Sequence, residues 1–297
     1  MAEKKRRSTW SKFAPQISVA DWRLHPLTLF VLATVATIVA GIWLWRSNES
    51  ELLDRSTFQL TFEKLVVTPQ PDFLKIDLKK AAFDGSGLAE TNLLDHDLVS
   101  KVHAAFAVQS WVEQAIVRKN RSAVDVDLIF RKPVALVEFG DNLLLPIDRS
   151  GIVLDGEDFN SALADQFVRI TVESPQVGSL VHGDAWPDER IVAAAMIAEL
   201  ILPKAKDWGI VRIAHVPLTS GSNAPEGDFE FLTSQNTAGI RVLWGSPPGF
   251  ERTDEVSPAQ KLETLSQWIS ERGSLTDFGS SQTIDLRSGQ IKLVSKR

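Results

Sequence analysis

The chain has 297 residues, of which 44% are hydrophobic, 24% charged and 8% aromatic, and its net charge is −6. That profile belongs to a globular protein with room for about two domains beside an anchor, and it excludes a disordered chain or a strongly basic nucleic-acid binder. There is no cysteine, so disulfides, thiolate metal sites and cysteine nucleophiles are excluded as well.

Residues 1–26 form a basic tail, with Lys4, Lys5, Arg6, Arg7, Lys12 and Arg23 opposed only by Glu3 and Asp21. From Leu27 to Trp45 no residue is charged. A helix over that run is about 28 Å long, close to the ~30 Å hydrocarbon thickness of a bilayer. Trp43 and Trp45 stand at its far end, as interfacial indoles do, and Arg46 closes it. The expectation is a transmembrane helix over 27–46. Acidic Glu49, Glu51 and Asp54 follow, so the positive-inside rule puts the tail in the cytoplasm and the bulk of the chain outside it. A cleaved signal peptide is the rival, but its apolar core is ~7–15 residues and ends in a small-x-small site. Ile42-Trp43-Leu44-Trp45-Arg46 is no such site.

Residues 47–57 read as a polar linker. A first module then spans 58–139. Phe58-Gln59-Leu60-Thr61-Phe62 alternates and Leu65-Val66-Val67 favours β structure, which puts a strand here, ended by Pro69 and Pro71. Leu98, Val99, Val102 and Phe106 have helical spacing, predicting a helix over 95–107 with Asp95 as N-cap. Strands are predicted at 115–117 and 124–130, joined by a turn at Asn120-Arg121-Ser122; Val124, Val126 and Leu128 alternate with Asp125 and Asp127.

The second module spans 140–297. Leu143–Ile147 and Ile152–Leu154 flank Asp148-Arg149-Ser150-Gly151, a hairpin with glycine at the turn. A strand is predicted at 167–172 and a helix from Pro187 to about Leu202, with Ile191, Ala195, Ala198 and Leu202 on one face. Strands follow at 210–216, 229–232 and 240–244. The clearest helix is Pro258–Arg272, where Ser257 and Gln260 make a capping box and Gly273 follows the last turn. Its predicted apolar face is Ala259, Leu262, Leu265, Trp268 and Ile269. Strands at 283–286 and 290–294 close the pattern. Trp111, Trp208, Trp244 and Trp268 are expected in the core.

The elementary signs of catalysis are missing. Gly85-Ser86-Gly87 lacks the spacing of a nucleophile elbow or a dinucleotide loop and reads as a turn. His25, His96, His103, His182 and His215 include no i, i+4 pair for a helical zinc site. His182-Gly183-Asp184 reads as a surface turn rather than a weak metal loop. The expectation is a non-enzyme with no cofactor, no metal, no nucleic acid and no small-molecule substrate. The run Gln290-Ile291-Lys292-Leu293-Val294 alternates and is followed only by Ser295-Lys296-Arg297. It is read either as an open edge strand or as one blunted by its basic residues, and composition leaves the two even.

The layout as a whole resembles the FtsQ/DivIB cell-division proteins, with their POTRA domain and following β-domain. Leu93-Leu94-Asp95-His96-Asp97-Leu98-Val99 leads into the helix, and Ser110-Trp111-Val112 is similar to the family's Pro-Trp-Val. Val117-Arg118-Lys119 is similar to its next strand. Arg131-Lys132-Pro133-Val134-Ala135 is similar to its Arg-x-Pro-x-Ala junction, and Ile147-Asp148-Arg149-Ser150-Gly151 to its hydrophobic-Asp-x-x-Gly hairpin. Asp285-Leu286-Arg287 is similar to the Asp-Leu-Arg before the last strand. The chain departs from the family in lacking Val-x-Gly in the first strand, in the serine at 110 and in a long insert over 69–91.

The resemblance implies an α+β protein: a transmembrane helix, a POTRA-like domain and a mixed α/β domain with a mostly antiparallel sheet. It implies a non-enzymatic divisome scaffold at the septum, on the outer face of the cytoplasmic (inner) membrane, binding FtsB–FtsL-like single-span partners. It also implies that FtsB adds a strand at Gln290, Ile291, Lys292, Leu293 and Val294, with Arg287 and Ser288 nearby. The alternative is another POTRA-bearing envelope component of secretion or assembly, which would be expected to carry a β-barrel or further POTRA repeats.

Overall fold

The computed structural model describes residues 26–53, 58–140, 143–217, 227–233, 240–277 and 282–295. The basic tail before Pro26 lies outside the described residues, as do 54–57 of the expected linker and the basic pair Lys296-Arg297. The chain divides into two compact units, Met1–Arg55 and Ser56–Arg297.

In the first unit a single helix, α1, spans Pro26–Leu53. Its stretch Leu29–Ser47 is long and apolar enough to cross a membrane, and no side chain in it is buried within the protein. Leu27 and Trp45 both lie in this helix, and Trp45 is exposed. Thr34 and Thr37 donate their hydroxyls to the carbonyls of Phe30 and Ala33 one turn back, which satisfies both without water. The helix runs on through Ser47–Leu53, where the sequence suggested a linker. Asn48-Glu49-Ser50-Glu51-Leu52 contains neither glycine nor proline, so helix continues although apolarity ends.

The second unit holds two sheets. The smaller has three strands, β1 (Leu65–Val67), β2 (Val112–Lys119) and β3 (Val124–Phe130), in the order β1-β3-β2. β1 runs parallel to β3, and β2 pairs with it antiparallel around the Asn120 turn. Two helices, α2 (Leu78–Gly85) and α3 (Leu98–Ala107), cover the sheet, and Leu98, Val102 and Phe106 pack with Leu65, Val124 and Val126. α2 had no signal in the sequence beyond Leu78 and Ala82, one turn apart. α3 begins at Leu98 rather than Asp95, because the Asp95 carboxylate accepts the Asn92 N–H and closes a turn ahead of the helix.

The larger sheet has eight strands. They are β4 (Pro133–Phe139), β5 (Leu143–Asp148), β6 (Val168–Thr171), β7 (Arg212–Pro217), β8 (Gly227–Leu232), β9 (Arg241–Gly245), β10 (Gln282–Asp285) and β11 (Lys292–Ser295). Their order is β11-β10-β9-β8-β7-β6-β4-β5. Three neighbouring pairs, β4–β6, β6–β7 and β9–β10, are parallel and the others antiparallel, so the sheet is mixed. β4, which the sequence placed at the end of the first module, pairs within this larger sheet. The change of sheet thus falls at Arg131-Lys132. Proline at the start of β4 needs no ladder donor there.

Helix α4 (Glu189–Trp208) crosses β4, β6 and β7. It runs past Pro203, because Ile201, Ala205 and Trp208 continue the buried stripe and Gly209 supplies the left-handed cap. Helix α5 (Pro258–Arg272) has the expected bounds and capping box. Both helices pack onto the sheet in one apolar cluster that includes Trp208, Trp244 and Trp268, while Trp111 is buried in a separate cluster.

Candidate partner interface

β11 stands at one end of the eight-stranded order and, among the described strands, pairs with β10 alone. In that antiparallel pair Asp285 faces Lys292, Ile284 faces Leu293 and Thr283 faces Val294. The Leu286 N–H donates to the Leu243 carbonyl of β9 at 3.0 Å. Strand alternation then turns the main chain of Ile284 toward β9 and that of Thr283 and Asp285 toward β11. Their partners Lys292 and Val294 point back at β10, and the N–H and C=O groups of Leu293 and Ser295 point outward.

The side chains add a pattern to that edge. Ile284 is fully buried, whereas Leu293, opposite it on the same face, is 49% exposed. Ile291, two residues before, is half-buried against the main core. Lys292 lies on the other face and is exposed, as are Gln290 and Ser288; the Ser288 hydroxyl donates to the Gln290 carbonyl at 3.5 Å. The edge therefore offers outward main-chain groups, an apolar face at its rim and a cation on the reverse face.

Arg287 is held differently. Its Nε and Nη2 donate to Asp285 at 3.0 and 2.7 Å, and Nη1 donates to Asp228 of β8 at 2.8 Å. These carboxylates raise the guanidinium's pKa, and its hydrogen bonds hold the Asp285 carboxyl below the usual carboxylate range. The other oxygen of Asp228 accepts from Arg252 at 2.5 Å, and Arg252 also reaches Glu255 at 3.0 Å. Glu255 accepts the Ser246 N–H and lies 3.6 Å from the Lys261 ammonium, which is fully buried 5.0 Å from the centre of the Trp244 ring. Burial would push the Glu255 carboxyl up, but Ser246, Lys261 and Arg252 outweigh it and hold it low.

Six alternating charges thus run from the core to the turn before β11. Two glycines let the turn and the carboxylate close up. Gly289 has φ +71°, and a Cβ there would meet Val256 at 2.8 Å; a Cβ on Gly245 would lie 2.0 Å from the Glu255 carboxylate. The Val256 N–H donates to the Arg287 carbonyl at 3.0 Å and closes the fit.

Of the residues singled out from the sequence, Ser288, Gln290, Ile291, Lys292 and Leu293 come together along this edge. Val294 belongs to β11, though its side chain lies outside the described residues. Arg287 points into the ion network. Asp228, Arg252, Glu255 and Lys261 were missed, and one signal for them existed: Lys261 precedes Leu265 and Trp268 by one and two turns, a cation in the buried stripe of α5.

Elsewhere, a cleft of about 350 Å³ lies beside Thr68, Gln70 and Lys75 and another of about 240 Å³ beside Asp165, Arg169 and Lys206. Among the described residues no group of three His, Asp or Glu is placed to hold a metal ion. No protein-family model matches this chain, and no curated protein matches its sequence.

Proposed function

We propose that this protein is a scaffold of bacterial cell division of the FtsQ/DivIB kind, with α1 in the cytoplasmic membrane and the tail on the cytoplasmic side. The unit Ser56–Arg297 then lies outside and binds an FtsB-like partner that adds a strand to β11. The observation that carries the reading is the edge of β11, with the main chain of Leu293 and Ser295 facing outward and the Leu293 side chain exposed beside the core. The three-stranded module supports it, since it keeps the order of a strand, a helix at 98–107 and two further strands that the resemblance implies, with α2 added between. The junction motif around Pro133 falls where one sheet gives way to the next, which supports it further. In this reading the protein does no chemistry; main-chain pairing gives affinity, and Leu293 and Lys292 give specificity.

The test is a pair of prolines. Leu293→Pro removes an outward donor, and capture of the cell's own FtsB-like protein is expected to fall at least tenfold with circular dichroism unchanged. Lys292→Pro removes an inward donor and is expected to loosen the β10–β11 hairpin itself. A folded Leu293→Pro protein that captures its partner at the unaltered level would overturn strand addition. A fluorescent fusion should mark a midcell band during constriction, whereas an even envelope signal would favour the secretion or assembly alternative.

A further inference from the structure

Between β1 and α2 the chain leaves the three-stranded module and runs along the other one. Leu74 makes an antiparallel bridge with Phe159. The Lys75 N–H donates to the Asp158 carbonyl at 2.9 Å, and the Asn160 N–H donates to the Phe73 carbonyl at 2.8 Å. The Asn160 side-chain amide adds a bond to the Asp72 carbonyl at 3.3 Å. Leu74 and Leu78 are buried with Trp111, Leu136, Leu154 and Phe159 in an apolar cluster distinct from the core of either sheet.

Trp111, fully buried, is the centre of that cluster. Its ring lies 6.2 Å from Phe159, nearly parallel at 6°, and 5.6 Å from Phe73. Its Nε1–H donates to the Asp155 carbonyl, while the Ser110 hydroxyl accepts the Asp155 N–H at 3.1 Å. Beside it Arg131 pairs with Asp148 at 2.9 Å. Modules joined by a linker alone move relative to one another. Here a second pass of the chain crosses the boundary, with main-chain bonds in both directions and a dry core beneath it.

We propose that the segment Pro71–Leu78 is a strap that fixes the two modules of Ser56–Arg297 into one rigid body, so that a load or partner taken up by either is transmitted to the other. Hinge motion would have to expose Trp111, Phe159 and Leu74 together and break the bonds to Asp158 and Asn160.

The absence of cysteine makes the test clean. Lys119→Cys and Glu271→Cys place spin labels at exposed positions, one in each module, in the full-length chain in detergent. Pulsed dipolar spectroscopy is expected to give one narrow distance. Adding Phe73→Ser and Leu74→Ser should widen the distribution at least twofold, while amide protection in β3 and β9 persists. If that double variant fails to fold, Leu74→Ala takes its place with the same expected direction. A broad distribution in the otherwise unaltered chain would overturn the strap, as would an unchanged width in a strap variant whose two sheets remain protected.

Discussion

Lys261 and Glu255 carry their charges where water does not reach, and neither touches the β11 edge directly. Desolvation lowers the Lys261 pKa, so the ammonium is retained by its carboxylate and by the Trp244 face. Taking two charges from water costs several kcal/mol per ion, and a pair of this kind gives registry more than stability. What it registers is the turn at Arg287. Asp285 and Glu255 both have lowered pKa values, by the Arg287 bonds in the first case and in spite of burial in the second. A carboxylate depressed in the folded state stabilises it fully above its unfolded pKa, near 4, and loses that contribution as pH falls through the folded value. Thermal stability is therefore expected to drop steeply below about pH 4. Arg287→Gln should flatten that acid limb and lower Tm at pH 7. The guanidinium is 36% exposed, so screening leaves roughly 1 kcal/mol, or about 2–4 °C in a unit of this size. An unchanged acid limb in the variant would contradict this account.

At the level of elements, α1 and α5 were the most legible. Each carries its own boundaries: an unbroken apolar run of bilayer length in one, and a capping box, a first-position proline and a following glycine in the other. The apolar face of α5 packs on the main core as expected at Leu262, Leu265, Trp268 and Ile269, but Ala259 is exposed and Lys261 is buried. A hydrophobic stripe read from residue types passes over a lysine, and only its ion pair with Glu255 makes the burial possible. α2 and β4 were not legible although much of their packing is local, α2 against α3 and β4 against β5 across a short turn. α2 is an eight-residue helix stabilised by packing rather than propensity. β4 sits in a run whose junction motif hid its pairing with β5 and β6. The edge strand was found within two residues, though which main-chain groups face outward needed the neighbouring ladder. For α1 the expectation concerns direction. A reporter active only outside the cytoplasm should work when fused after Val294 and fail at Thr9, and the reverse pattern would refute the orientation.

For the whole molecule, the described side chains of the last strand contribute little burial, since Lys292 and Leu293 are exposed. Among the described residues Ile291 is the one near β11 that packs on the main core, and it is half-buried. Half the burial of an isoleucine is worth roughly 1–1.5 kcal/mol, or about 2–6 °C at this size. Truncation after Ser288 is expected to leave a folded unit with a Tm lowered by about that much, and to abolish partner capture. Capture that survives the truncation would move the interface elsewhere on the surface. Collapse of the whole unit would mean that β11 is structural.

The spatial order of the larger sheet has a temporal meaning. From β6 to β11 neighbours in space follow one another in sequence, each new strand laid against the one before. A chain delivered amino-terminus first can add these strands as they emerge, and domains generally fold as they are made. β11, the last of the described strands, pairs with β10, which itself lies against β9. On the proposed reading, a partner that pairs along β11 meets the last of the described strands, so a chain halted before β11 offers it no edge.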